Sequence, residues 1–131
     1  MQSRTPVVVR PMEAAKKQPV AAARDTVMQV LIGPEDGAPN FVTRRFEIGP
    51  GGRIPCHRHD CIEHEQVMTQ GELIIGLDNR EFHVTEGDCV LIPAGVAHWY
   101  ENRGETKATF LCVVPRTTNY QTEWIERPEN A

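Results

Sequence analysis

From residue 33 onward, clusters of turn-forming residues recur so closely that no long helix fits between them. Gly33-Pro34, Gly49-Pro50-Gly51-Gly52, Gln70-Gly71, Asp78-Asn79, Glu86-Gly87-Asp88, Pro93-Ala94-Gly95 and Asn102-Arg103-Gly104 carry the chemistry of tight turns. Between them lie short runs rich in β-branched or aromatic side chains: Val27 to Ile32, Phe41 to Ile48, Arg53 to His59, Glu65 to Thr69, Glu72 to Leu77, Glu81 to Val84, Cys89 to Ile92, His98 to Glu101 and Thr109 to Val114. Each reads as a strand. Strands at this spacing predict an all-β sandwich or barrel, and closure of the sheet would remove its exposed edges.

At 131 residues the chain is one domain by length. The strand pattern fills 27–115, leaving an N-terminal arm, 1–26, and a C-terminal tail, 116–131. The arm holds Pro6, Pro11, Pro19 and short alanine runs, with Arg4, Arg10, Lys16, Lys17 and Arg24 against Glu13 and Asp25. An arginine-rich, acid-poor start is a feature of transit peptides, but Ser and Thr are sparse and no amphipathic face is evident, so an extended arm is expected. Val7-Val8-Val9 predicts a short edge strand within it, confined to an edge by the neighbouring prolines. The tail, with Trp124 in a polar setting, either covers the barrel or stays free.

A net charge of −4 argues against nucleic acid and anionic membrane surfaces as partners. No apolar run has the length of a membrane span or forms a signal-peptide core, so a cytoplasmic protein is expected. Cys56, Cys61, Cys89 and Cys112 show no pairing pattern and read as reduced thiols.

Chemistry concentrates on histidine. His57 and His59 are two apart in Ile-Pro-Cys-His-Arg-His, so on a strand they leave the same face. His64 follows across a short polar turn, and His98 ends a second segment, Pro93-Ala94-Gly95-Val96-Ala97-His98. Together they form a candidate first shell for one divalent transition metal: imidazole suits manganese, iron, cobalt, nickel, copper or zinc, and a shell without thiolate argues against a closed structural zinc site. Cys56 alternates out of phase with the histidines, and Cys61 falls in the turn; both rank as non-ligands because four positions are already filled. His83, in a polar stretch, reads as a surface residue.

These residues carry a family resemblance. Gly51 to Gly71 fits the first cupin motif, G-x5-H-x-H-x4-E-x6-G, with His64 standing where the usual glutamate would be. Gly87 to Asn102 fits the second, G-x5-P-x-G-x2-H-x3-N, without a gap. The chain resembles a single-domain cupin, which implies a double-stranded β-helix, a jelly-roll-like barrel. Val30-Leu31-Ile32-Gly33, Ala38-Pro39-Asn40-Phe41-Val42 and Phe110-Leu111-Cys112 further resemble a small thermophile cupin with a four-histidine manganese site. That similarity implies Mn2+ or Fe2+ at the histidines, with Zn2+, Ni2+, Cu2+ or Co2+ as further candidates, and a homodimer in which the arm pairs onto its neighbour. Glu63 and Glu65 flank His64, and a one-residue adjustment would make one of them the fourth ligand instead.

Four neutral imidazoles leave a bound ion its full double charge, so it would be a stronger Lewis acid and harder to oxidise than one held by a carboxylate. An octahedral ion with four protein ligands keeps two further positions for a chelating small molecule, or for one beside dioxygen. Alternation places Tyr100 with His98, and Gln66 and Met68 with His64, on the inner face; Trp99 should pack outside. Arg44 shares the apolar face of Val42, Phe46 and Ile48, where it could bind a substrate carboxylate, pair with Glu47, Glu63 or Glu65, or make a dimer contact. The family resemblance adds Phe110 and Cys112 to the pocket. Three function classes follow, the first of them favoured by the all-histidine shell, the apolar pocket and the resemblance: a metal-dependent oxygenase of dioxygenase type on a small organic substrate; a non-redox isomerase, lyase or cyclase with Tyr100, Glu63 or Glu65 moving the proton; or a small-molecule-binding protein without turnover.

Overall fold

A computed structural model describes residues 4–131 and shows ten antiparallel strands in one curled sheet. In chain order they are β1 (Gln18–Pro19), β2 (Arg24–Ile32), β3 (Phe41–Arg58), β4 (His64–Gln70), β5 (Glu72–Leu77), β6 (Arg80–Thr85), β7 (Cys89–Ile92), β8 (His98–Glu101), β9 (Ala108–Pro115) and β10 (Glu123–Trp124). Among the described residues, two single 3-10 turns, Met12–Ala14 and Pro34–Asp36, are the only helical elements.

The main path runs β6-β5-β8-β3-β9-β4-β7. It curls into a jelly-roll-like barrel without closing, because β6 and β7 end it. The β6 edge carries Arg80, Glu81 and His83, charged or polar side chains that discourage pairing with another sheet. His83 is a surface residue, 3.0 Å from Glu72 Oε2.

Strand β3 organises the fold. The segments expected as two strands, Phe41 to Ile48 and Arg53 to His59, form one 18-residue strand that bends at Gly49-Pro50-Gly51-Gly52. Its first half lies between β2 and β9, and its second half between β8 and β10. Gly51 takes φ 79°, and a Cβ on Gly52 would come within 3 Å of Ile48 Cγ2, Gly49 O and Arg24 O. Buried Asn102 pins the bend: its backbone N–H donates to Gly52 O (3.0 Å), and its Nδ2 donates to Ile48 O and Thr106 O (both 2.9 Å). Thus the closing asparagine of the second motif acts as a backbone clamp.

The core is formed by inward side chains of these strands, including Ile48, Leu73, Ile75, Ile92, Phe110 and Val114. Full burial of one such side chain contributes about 1.5–3 kcal/mol. Trp99 lies on the outer face, its indole filling the space where a Cβ on Gly76 would sit, with the Arg53 guanidinium 4.5 Å from its ring.

The arm differs from expectation, and the tail takes one of the two courses left open to it. Val7, Val8 and Val9 lie outside any strand, with Val7 and Val9 exposed; the arm's strand is β1, which pairs with β2 of its own chain. The prolines crowding the valine run remove backbone donors and restrict the residue before each of them. Further contacts hold the arm in place: Arg10 pairs with Asp36, and buried Gln29 donates to Met12 O and Ala15 O. The tail folds back over the barrel, where β10 pairs with the end of β3.

Candidate metal and ligand site

His57 and His59 sit near the end of β3, His64 begins β4 and His98 begins β8; all four are buried. A bulge aims the first of them. Ile54 pairs with Tyr100 and His57 with His98, so two residues of β3, Pro55 and Cys56, face a single residue of β8. Uninterrupted alternation would put Ile54 and His57 on opposite faces; with the bulge both line one cavity. Pro55 suits the bulge because it has no N–H to lose from the ladder.

Backbone carbonyls orient three of the rings. His57 Nδ1 meets Pro55 O at 2.7 Å, His98 Nδ1 meets Val96 O at 2.8 Å, and His59 Nδ1 meets Gln121 O at 3.1 Å with Thr122 Oγ1 at 3.2 Å. A carbonyl oxygen only accepts, so each Nδ1 carries the proton and each Nε2 keeps its lone pair. Burial pushes the pKa of His57 down to about 3, of His64 to about 2 and of His98 to about 4, and lowers that of His59. The Arg44 cation lowers all four further, and protonating one ring would disfavour protonating its neighbours. At neutral pH the cluster is therefore a set of uncharged donors.

Potential ligand atoms of His57, His59 and His98 all lie within 4.8 Å of one another. His64 stands outside that tightest set, with its ring centroid 5.1 Å from that of His98 and 5.3 Å from that of His59. Its Nδ1 is buried without a hydrogen-bond partner. Converging neutral nitrogens with an unpaired ring nitrogen beside them fit a divalent transition metal.

The cavity, about 160 Å3, opens in front of these rings. Of the residues expected there, Arg44, Phe46, Gln66, Tyr100, Phe110 and Cys112 line it; buried Met68 does not, and packs in the core beside the cross-strand position of Phe110. Glu63 and Glu65 are a clear correction. Both are exposed and absent from the lining, because the alternation that turns His64 and Gln66 inward turns their neighbours outward. Neither is placed to ligate a metal here or to move a proton. Cys56 stays outside, its carbonyl accepting from Ile125 N and Glu126 N, and Cys61 is exposed. The ion pairs expected of Arg44 are also absent: Glu47 pairs with Lys17, Arg45 and Lys107 instead.

Phe46, Phe110 and Tyr100 stack on one another as offset, near-parallel rings, with centroids 5.1 and 5.2 Å apart and planes within 15° of parallel, and together form the aromatic wall of the cavity. Gln66 Nε2 donates to the Tyr100 hydroxyl at 2.7 Å, and burial pushes the Tyr100 pKa far up, so the phenol stays protonated. Several wall residues escaped the sequence reading. Ile54 required the bulge, and Val20 the folded arm. Tyr120, Thr122 and Trp124 came from the tail: Tyr120 packs 4.8 Å from the His59 ring and Trp124 4.9 Å from His57. Their one signal was three ring-bearing or hydroxyl residues at alternate positions.

A family model for the Cupin domain matches residues 44–114. The chain is a cupin. Among curated relatives, auxin-binding protein ABP19b of Prunus persica is 35% identical over 69 residues, covering 49% of this chain and 33% of its own length. The chain thus spans about a third of that relative. Among solved structures, the polyketide cyclase RemF of Streptomyces resistomycificus superposes with a TM-score of 0.84 at 28% identity, covering 99% of this chain and 89% of the other. A predicted oxalate decarboxylase of Thermotoga maritima superposes with a TM-score of 0.75 at 19% identity, covering 84% of this chain and all of the other, which shows the shared fold. Among the described residues, no helix is long and apolar enough to cross a membrane.

Proposed function

We propose that this cupin is a metal-dependent enzyme of the non-redox isomerase, lyase or cyclase type, acting on a small enolisable carbonyl compound. The observation that carries the reading is the uncharged histidine cluster facing a wall of stacked aromatic rings in one cavity. His57, His59 and His98 would hold a divalent ion, with His64 as fourth ligand, and the ion would supply Lewis acidity toward a carbonyl oxygen. The wall of Phe46, Phe110 and Tyr100 would give the substrate an apolar surface and exclude water from it. Tyr100, kept protonated by burial, would donate a hydrogen bond from a hydroxyl whose oxygen already accepts from Gln66. Two further observations support the non-redox class. Cys112 is a buried thiol in the same wall, a group vulnerable to oxidants generated beside it. The polyketide cyclase, alike over almost the whole chain, is by its name a cyclase.

A second reading is an oxygenase at a manganese or iron centre, favoured by the largely apolar walls and by the two positions that four protein ligands leave on an octahedral ion. One experiment separates them: reconstitute the metal-free protein with zinc, manganese or iron(II), then follow α-proton exchange of a 1,3-dicarbonyl compound in D2O by NMR alongside oxygen uptake. Metal-dependent exchange, zinc included, without oxygen uptake is the expected result. Oxygen consumption restricted to manganese or iron, without exchange, would transfer the assignment to the oxygenase. We further propose a homodimer, now through exposed Val67 and Leu91 on the outer face of β4 and β7 rather than through the folded arm; sedimentation as a monomer would refute it.

A further inference from the structure

Arg44 enters the cavity from β3 with no acidic partner among the described residues. The adjacent Arg45 shows the ordinary arrangement, with its guanidinium 3.5 Å from Glu47. Arg44 instead meets neutral groups: Nη1 donates to the Tyr120 hydroxyl at 3.1 Å and Nη2 to Cys112 Sγ at 3.4 Å. Its Nε is buried with no partner, and its guanidinium carbon lies 5.1 Å from the centroid of Phe46 and 5.7 Å from that of Tyr120. A buried cation with only neutral partners is costly, and the cost falls when an anion joins it. The Phe46 ring against the guanidinium is also the first ring of the aromatic wall, so a molecule packed against that wall reaches Arg44 at its end.

We propose that Arg44 is the anion-recognition residue of this cavity and that its ligands are carboxylates carrying an apolar, aromatic frame. The carboxylate meets the guanidinium while the apolar frame packs against the rings of the aromatic wall. This rests on the reading of the cavity as a substrate site but needs no metal, so the two can fail separately. Arg44 is a specificity-determining residue, and its charge is maintained at the expense of stability.

The test is calorimetric titration of metal-free protein with cinnamate and with its neutral isostere cinnamamide, for wild type, Arg44→Met and Arg44→Lys. Wild type should bind cinnamate saturably and cinnamamide at least about tenfold more weakly, the difference expected of a charge-assisted contact. Arg44→Met should bind both equally weakly, Arg44→Lys should keep part of the preference, and Arg44→Met should melt about 2–4 °C higher without ligand because an unpaired buried charge has gone. Equal binding of acid and amide by wild type, no saturable cinnamate binding, or unchanged binding by Arg44→Met would overturn the proposal. A lowered melting temperature in Arg44→Met would also overturn it, by assigning the residue to the framework. Metal content and α-proton exchange, measured separately, decide the Lewis-acid reading whatever these titrations give.

Discussion

The cavity has two walls of different construction. The sheet wall, from β3, β4, β8 and β9, is made mostly of buried side chains on strands held in hydrogen-bonded ladders. The tail wall, Tyr120, Thr122 and Trp124, belongs to a segment attached through the two-residue β10, with Tyr120 41% and Trp124 36% exposed. Yet the tail also reaches the histidines, since Gln121 O and Thr122 Oγ1 hold the His59 ring. Ligand geometry therefore depends partly on the less firmly held wall, a division suited to a site that must admit its ligand.

The largest effect should come from the sheet wall. His98→Ala, which removes a member of the tightest donor set, should abolish nearly all metal retention by elemental analysis while circular dichroism still reports the barrel; unchanged metal content would show that the ligands lie elsewhere. Phe110→Ala should cost about 3–5 kcal/mol in denaturant unfolding, the range for deleting a buried aromatic side chain. A loss under about 1 kcal/mol would mean this wall is no firmer than the tail.

Truncation after Thr118 should leave the melting temperature of the metal-free barrel less affected than Phe110→Ala does, while weakening metal binding about 10–100-fold through lost support of His59. Undiminished affinity would uncouple the two walls. Acid sharpens the contrast further: the buried histidines resist protonation in the folded state, whereas in the unfolded chain they protonate near 6.5. Their contribution to stability is thus complete above that value and is lost as pH falls toward about 3, so metal-free protein should melt at progressively lower temperature below about pH 6. A flat profile between pH 6 and pH 4 would contradict the buried, neutral cluster. The smallest effect should belong to Trp124→Ala, within about 1 kcal/mol in stability; a larger loss would make the tail part of the core.

The two walls also differ in how far the sequence revealed them. Alternation in His64-Glu65-Gln66 and His98-Trp99-Tyr100 is a local signal, and turn residues bounded each strand, so most of the sheet wall could be read residue by residue. Three features depended on distant contacts. The continuity of β3 through Gly49 to Gly52 requires Asn102 to clamp the bend, the facing of Ile54 requires an unequal residue count opposite β8, and the tail's position requires Cys56 O as its anchor. Glu63 and Glu65 were misplaced by nearness in sequence to His64, although the period of two already set them on the opposite face. Arg44 shows the converse: its inward direction could be read from β3, but its lack of an acidic partner became visible only in three dimensions.

The anchoring of the tail has a consequence for inheritance. The acceptor for Ile125 N and Glu126 N is a peptide carbonyl, that of Cys56, which side-chain substitution at that position does not delete. Lineages can therefore vary positions 120, 122 and 124 while this attachment persists. Ligand preference could diverge there faster than the histidine cluster beneath, with the barrel serving as a constant base under a replaceable cover.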